Sequence, residues 1–152
     1  MSIRFSVQSR DFELLETHNI RKWVTEVVKR REKQVGNINY LFCDDEYILQ
    51  ANKQYLDHDT YTDIITFDYV AGSLISGDIM ISTDRVGENA AKFSVPFEQE
   101  LHRVIIHGVL HLLGQGDKSE EEAAEMRRQE ESALALWNEL FHAEHTMNYF
   151  IY

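Results

Sequence analysis

Residues 96–117, PFEQELHRVIIHGVLHLLGQGD, carry the strongest structural pattern in the 152-residue chain. Small or apolar residues recur there every three or four positions, a spacing typical of a helix with one buried face. They are Leu101, Val104, Ile105, Gly108 and Leu112. Pro96 is a favoured first residue of a helix, and Gly114 is a favoured terminator. The pattern predicts an amphipathic helix that opens at Pro96 and ends at Gly114.

Two histidines, His107 and His111, lie four positions apart on this predicted helix. Residues at that spacing share one helix face, so both imidazoles can bind the same metal ion. Gly114 permits a left-handed turn that would bring Asp117 back toward that ion. The pattern H-x-x-x-H-x-x-G-x-x-D therefore predicts His107, His111 and Asp117 as metal ligands. The alternative is that the histidines are polar positions beside the core stripe and Asp117 is a turn residue.

Three protein ligands leave at least one coordination position open, as in catalytic zinc sites that lower the pKa of water to about 7. A chain of this length folds without a structural metal, so we expect one catalytic Zn²⁺ per chain. The carboxylate ligand leaves Fe(II), Mn(II) or Ni(II) as alternatives. The ligand spacing is that of the metzincin peptidases, but Gly108 occupies the position of their general-base glutamate, which disfavours ordinary proteolysis.

Weaker patterns define the rest of the chain. Alternating or β-branched residues predict four strands, at 3–7, 38–43, 63–69 and 78–82, with a turn at 72–77 before the last. Capping and periodicity predict further helices at 20–35, capped by Asn19 and ended by Gly36 and Asn37, at 45–55 and at 119–140. We therefore expect one α/β or α+β domain over residues 1–152. It should contain a small mixed four-stranded sheet flanked by helices and a zincin-like metal-binding helix.

Composition limits the function classes. The chain has no signal-peptide pattern and no apolar run long enough for a membrane helix, so we expect a soluble, cytoplasmic protein. The net charge of −11 argues against a nucleic-acid partner, although residues 120–131 hold part of the acidic excess on a predicted solvated helix face. Cys43, the only cysteine, follows apolar neighbours and is expected in the core, while His102, His142 and His145 are expected at the surface.

The segment from His107 to Gly114 resembles the YbeY family of bacterial metal-dependent endoribonucleases, and the likeness extends over residues 38–131. Its further motifs are Asn52, Tyr55, Asp59, the run TDIITF at 62–67, Gly77-Asp78-Ile79, Glu121, Glu122 and Met126. The resemblance implies one zinc per chain, single-stranded RNA as substrate and action near the 3′ end of small-subunit ribosomal RNA. It also implies a role in ribosome quality control, with the ribosome or ribosomal proteins as partners. The oligomeric state stays open.

Two positions depart from the family pattern. Asp117 stands where the family usually has a histidine ligand, and Leu56 stands where it commonly has an arginine thought to assist catalysis. Arg103, one helical turn before His107, is our candidate for the missing cation that neutralises a scissile phosphate. Arg85, Lys92 and Lys118 are weaker candidates for the same role.

Residues beside the metal motif are candidates for supporting roles. Asp63 and Thr66 could orient a ligand imidazole, because metal-bound histidines usually donate their second N–H to an oxygen, or they could bind substrate. A cap or turn role is the alternative for Asp63. Glu100 is expected to pair with Arg103 or to stabilise the helix terminus. The leading hypothesis is metal-assisted hydrolysis of RNA phosphodiesters. The alternatives are a metallopeptidase and a non-catalytic ribosome-assembly factor.

Overall fold

The computed structural model describes residues 1–56 and 62–141, which form one four-stranded sheet and five helices. The elements are β1 (Ser2–Val7), α1 (Thr17–Arg30), β2 (Gln34–Cys43), α2 (Asp45–Leu56), β3 (Ile64–Asp68), β4 (Leu74–Ser82), α3 (Thr83–Phe93), α4 (Phe97–Leu112) and α5 (Glu120–Phe141). The strand order is β1-β2-β4-β3. β1 and β4 run parallel to β2, and β3 runs antiparallel to β4. The predicted fold class, with its mixed sheet flanked by helices, is confirmed.

The side chains of β2 point alternately to the two faces of the sheet, and these faces differ in what packs on them. Ile38, Tyr40 and Phe42 are buried on one face. Helices α1 and α4 pack against that face, and α5 packs on these two helices, which brings Trp23 and Trp137 together at 5.3 Å between ring centroids. Helix α2 packs on the other face, where a smaller cluster forms. Its buried members are Cys43, Ile48, Ala51 and Ile65.

Helix α4 lies directly against the sheet. Every position of its predicted inward stripe is buried, as the spacing indicated. A Cβ atom at Gly108 would lie 2.9 Å from Cδ1 of Ile79 and 3.1 Å from Cδ1 of Ile64. Position 108 therefore faces the sheet, and its lack of a side chain lets helix and strands approach closely. In the described ranges, α4 included, there is no helix with both the length and the apolar character needed to cross a membrane.

The first helix differs from the sequence prediction at both ends. It begins at Thr17 rather than after an Asn19 cap, and it ends at Arg30 rather than near residue 35. Glu32 then adopts a left-handed conformation, with φ of 60°. Residues 34 and 35 pair with residues 74 and 75 of β4, so sheet pairing outweighs the helical pattern there. Gly36 and Asn37 consequently lie within β2 and do not terminate the helix.

The region from 72 to 93 also departs from the prediction. β4 begins at Leu74, so the predicted turn at 72–77 is too long and Gly77 lies inside the strand. Helix α3 follows β4 without a loop and was missed in the sequence because it is polar, with only Val86 and Ala90 buried. Its N-terminus is capped by Ser82, whose hydroxyl oxygen accepts a hydrogen bond from the Arg85 amide at 3.2 Å.

Two side-chain predictions were tested by burial. Cys43 is fully buried as expected, and burial raises the pKa of its thiol to about 12. His102 was expected at the surface, and this was wrong: its side chain is only 2% exposed. Its ring lies 4.2 Å from that of Trp137, measured between centroids, so it belongs to the aromatic core. His142 and His145 lie outside the described residues, as does Asp59.

The glycine at position 77 should be essential for stability. A Cβ atom there would lie 2.6 Å from the carbonyl oxygen of Phe67 and 2.8 Å from Cδ2 of Leu112. Because backbone cannot move aside as a side chain can, Gly77→Ala should lower the free energy of unfolding by about 1–3 kcal/mol. Urea denaturation monitored by tryptophan fluorescence measures the change.

Gly87→Ala is the matched control, because the nearest atom to its added Cβ would be Cε1 of Phe97 at 3.9 Å. Gly87 lies within α3, where alanine should raise the free energy of unfolding by up to about 1 kcal/mol. A Gly77→Ala protein as stable as the wild type would contradict the close packing described for β3 and β4.

Candidate metal centre

The last two turns of α4 present both histidines of the motif. The rings of His107 and His111 lie 4.7 Å apart between centroids and are nearly perpendicular, at 79°. Their side chains are 15% and 32% exposed, so both imidazoles reach the surface from a buried helix. The predicted helix face is therefore confirmed.

A tight turn brings Asp117 to the same place. Gly114 adopts φ of 99°, the left-handed conformation that the sequence predicted there. The start of α5 then holds the segment, because the Glu122 carboxylate accepts hydrogen bonds from the amides of Lys118 and Ser119, at 3.2 and 3.4 Å. In return, the Ser119 hydroxyl oxygen accepts one from the Glu122 amide at 3.0 Å. This capping box fixes the backbone directly after Asp117.

The three side chains converge on one point. Oδ2 of Asp117 lies 3.4 Å from Nε2 of His107 and 3.4 Å from Nε2 of His111. All three potential ligand atoms fall within 4.8 Å of one another. Metal–ligand bonds of 2.0–2.1 Å in a tetrahedron would separate the ligand atoms by about 3.3 Å. The spacing therefore fits a single divalent ion, and the described residues contain no other such group of three.

Glu130 of α5 is the main residue that the sequence did not reveal. Its Oε2 lies 2.6 Å from Nδ1 of His107, on the side of the ring away from the converging ligand atoms. Glu130 is only 4% exposed, so the predicted solvated face at 120–131 is wrong for this residue. The expectation that Asp63 or Thr66 would orient an imidazole is also wrong for His107, whose carboxylate partner is Glu130.

Arg103 lies among three carboxylates. It donates two hydrogen bonds to Glu100, at 2.9 and 2.6 Å, and one to Glu130 at 3.1 Å. Its Nη2 also lies 3.9 Å from Oδ2 of Asp63. Burial opposes the charge on the guanidinium, but the hydrogen bonds and negative charges of Glu100 and Glu130 outweigh it and raise the pKa of Arg103. The expected pairing of Glu100 with Arg103 is confirmed.

The other candidate cations differ in their surroundings. Arg85 is held by bidentate contacts of 3.0 to 3.2 Å to Asp45, at the opposite end of α3 from Lys92. The Nζ atom of Lys92 lies 5.8 Å from the ring centroid of Phe93. Phe93 and His107 line the same surface cleft. Lys118 is exposed beside Asp117. A phosphate-binding role for Arg103 or for any of these three stays a prediction.

The metal centre opens into a cleft of about 610 Å³ between α4, α5 and the end of α3. A larger groove, of about 1060 Å³, lies on the α2 side of the sheet and is lined by Asp44, Tyr55 and Asp78 among others. His107 and Asp117, two of the three converging residues, line the smaller cleft. Catalysis is therefore expected in the smaller cleft rather than in the larger groove.

Comparison with known proteins agrees with this geometry. The family model for endoribonuclease YbeY matches residues 4–138. The chain belongs to the YbeY family. A relative from Porphyromonas gingivalis named endoribonuclease YbeY is 49% identical over 142 residues, covering 93% of this chain and 94% of its own. Another of that name, from Flavobacterium psychrophilum, is 52% identical over 128 residues, covering 84% of this chain and 91% of its own.

Solved structures include a similar fold. The solution structure of a Thermotoga maritima protein has a TM-score of 0.63 and 30% sequence identity. The alignment covers 92% of this chain and 94% of that one. The resemblance to the YbeY family that the metal motif indicated is thereby confirmed over most of the chain.

Removing one histidine should remove the metal without unfolding the protein. His111 is 32% exposed and lies at the end of α4, so His111→Ala leaves no buried cavity. Substitutions of residues that only support metal ligands lower metal affinity by up to about 100-fold. Loss of a ligand itself should therefore lower the zinc affinity by more than about 100-fold. Competition with a chromophoric chelator measures the affinity, and circular dichroism checks the fold. A folded His111→Ala protein that binds zinc as tightly as the wild type would refute the ligand assignment.

Proposed function

We propose that this chain is a metal-dependent endoribonuclease that cleaves single-stranded RNA during ribosomal RNA processing. The observation that carries the proposal is the convergence of His107, His111 and Asp117 in a cleft of a chain that belongs to the endoribonuclease YbeY family. Two nitrogens and one oxygen are suitable ligands for zinc, and Fe(II), Mn(II) and Ni(II) accept the same set.

The ligand set favours a catalytic centre over a structural one. His107, His111 and Asp117 supply three ligands and are 15–36% exposed, so a substrate can reach the site. When bound, a divalent ion supplies Lewis-acid chemistry, polarising a phosphate oxygen and lowering the pKa of water. The protein holds the two imidazoles on a rigid helix and the carboxylate on a capped turn, which keeps the three ligands preorganised.

An exposed aromatic ring and exposed basic side chains at the edge of the cleft agree with an unpaired strand as substrate. Proteins that bind single-stranded RNA contact unstacked bases, which are not accessible within a duplex. Phe93 is 54% exposed and lines the cleft, so it offers a face on which a base can stack. Lys92, Lys118 and Arg127 are exposed near the cleft and can contact phosphates.

The ribosome is the expected setting for this activity. A net charge of −11 provides little nonspecific attraction to RNA, so a partner that presents the substrate would compensate for the missing basic surface. Ribosomal particles or ribosomal proteins would serve in that way, with the 3′ end of small-subunit ribosomal RNA as the target and the cytoplasm as the compartment. If RNA cleavage is weak or absent, the alternative is a ribosome-assembly factor that binds ribosomal particles without cutting RNA.

Proteolysis is disfavoured by the geometry of position 108. A metzincin-like glutamate at this position would point into Ile79 and Ile64 of the sheet, away from the ligand atoms. The helix therefore cannot supply the general base that such peptidases use. Absence of casein turnover by the zinc-loaded protein is the expected result.

Substitutions of Asp117 provide the functional test. Asp117→Ala should lose near-stoichiometric zinc, measured by elemental analysis, and lower cleavage of single-stranded RNA by at least about 100-fold, since the metal contributes several kcal/mol. Asp117→His is the matched variant, because a histidine can also ligate the ion, and it should retain both zinc and cleavage.

Three outcomes separate the alternatives. Zinc and cleavage lost together in Asp117→Ala support the nuclease. Zinc present in the wild type without cleavage of single-stranded RNA would refute the nuclease and favour the assembly factor. A wild-type protein that takes up no metal when zinc is supplied would overturn the metal centre itself.

A further inference from the structure

Behind the metal ligands lies a buried ionic network. Glu100 and Glu130, on α4 and α5, are 2% and 4% exposed. Burying a carboxylate is costly unless charged partners and hydrogen bonds compensate. Arg103 forms ion pairs with both, and its third neighbour, Asp63, is also acidic. Such an arrangement requires a reason beyond stability, because well-packed apolar residues often serve the core as well.

The two oxygens of Glu130 have different partners. Oε1 accepts a hydrogen bond from Nη1 of Arg103 at 3.1 Å, and Oε2 lies 2.6 Å from Nδ1 of His107. Arg103 is held in turn by two hydrogen bonds to Glu100. The contacts form one chain from Glu100 through Arg103 and Glu130 to the ligand His107.

We propose that Glu130 is a positioning residue that fixes the tautomer and the orientation of His107, and that Arg103 acts through Glu130 rather than as the cation that contacts phosphate. An ionised carboxylate accepts hydrogen bonds and donates none, so with Glu130 in that form the 2.6 Å contact places the proton on Nδ1 of His107. Nε2 then keeps its lone pair and is turned toward Asp117, 3.4 Å away. Metal binding at His107 rests on the proposed function, whereas the tautomer of His107 is inferred from its contact with Glu130 alone.

The charges around Arg103 support the second half of the proposal. Its single positive charge faces Glu100, Glu130 and Asp63, so the group as a whole is negative. Three of its five N–H donors already bind buried carboxylates. Net negative charge disfavours a phosphate, whereas it raises the electron density of the imidazole that binds the metal.

Glu130→Gln is the most informative substitution because it preserves shape and removes one acceptor. A glutamine has a single oxygen, while the two contacts of Glu130 need an acceptor at each position. One contact must therefore be lost. Glu139→Gln is the matched control, since it makes the same charge change at an exposed position of the same helix.

The first measurement needs no metal, and its deciding result comes from the wild-type protein. In ¹⁵N-labelled metal-free protein at alkaline pH, long-range proton–nitrogen correlation spectra should show His107 protonated on Nδ1. Its signals are assigned by their absence in His107→Gln. Glu130→Gln should move the population toward Nε2 protonation, and Glu139→Gln should not. A wild-type His107 protonated on Nε2 would overturn the proposal.

The second measurement is zinc affinity by chelator competition. Glu130→Gln should bind zinc about 10–100-fold more weakly than the wild type, and Glu139→Gln should match the wild type. Arg103→Gln should also weaken binding, and the double variant should lose no more than Glu130→Gln alone, because both act through one contact. A folded Glu130→Gln with wild-type affinity, or fully additive losses, would refute it. If the wild type bound no zinc, the proposed function would fail while the tautomer would still decide the role of Glu130.

Discussion

Close packing of α4 against the sheet is the constraint on which the rest of the structure depends. The helix approaches β4 so closely at Gly108 that a single added carbon would contact Ile79 at 2.9 Å. One side of α4 therefore completes the core, and the adjoining side presents His107 and His111 at its C-terminal end. The rigidity of the site follows from the burial of the helix, because side chains on a packed helix have few alternative positions.

The features predicted well from sequence are those determined by neighbours along the chain. The inward stripe of α4, the histidine pair and the left-handed turn at Gly114 all arise within one segment of about twenty residues. The same holds for Asp117, which the turn returns to the helix. For that reason, local spacing was sufficient to predict that His107, His111 and Asp117 converge.

Contacts between distant segments explain what the sequence did not reveal. Glu130 lies 23 positions after His107, within a run of acidic residues that otherwise face solvent, so nothing local distinguishes it. His102 looks like a surface residue until Trp137 packs on it. The end of α1 was misplaced because residues 34 and 35 pair with a strand that begins forty residues later.

The position of Glu130 on α5 links the metal site to the most C-terminal described helix. That helix is anchored from α1 as well, by the Trp23 indole N–H, which donates to the carbonyl oxygen of Ala133 at 2.7 Å. If α5 separates from the domain, His107 loses its contact with Glu130, so binding of the proposed ion and docking of the helix would be thermodynamically coupled. In the order of the chain, His107, His111 and Asp117 all precede Glu130. The hydrogen bond that orients His107 consequently forms only once α5 has been synthesised and has docked on the domain.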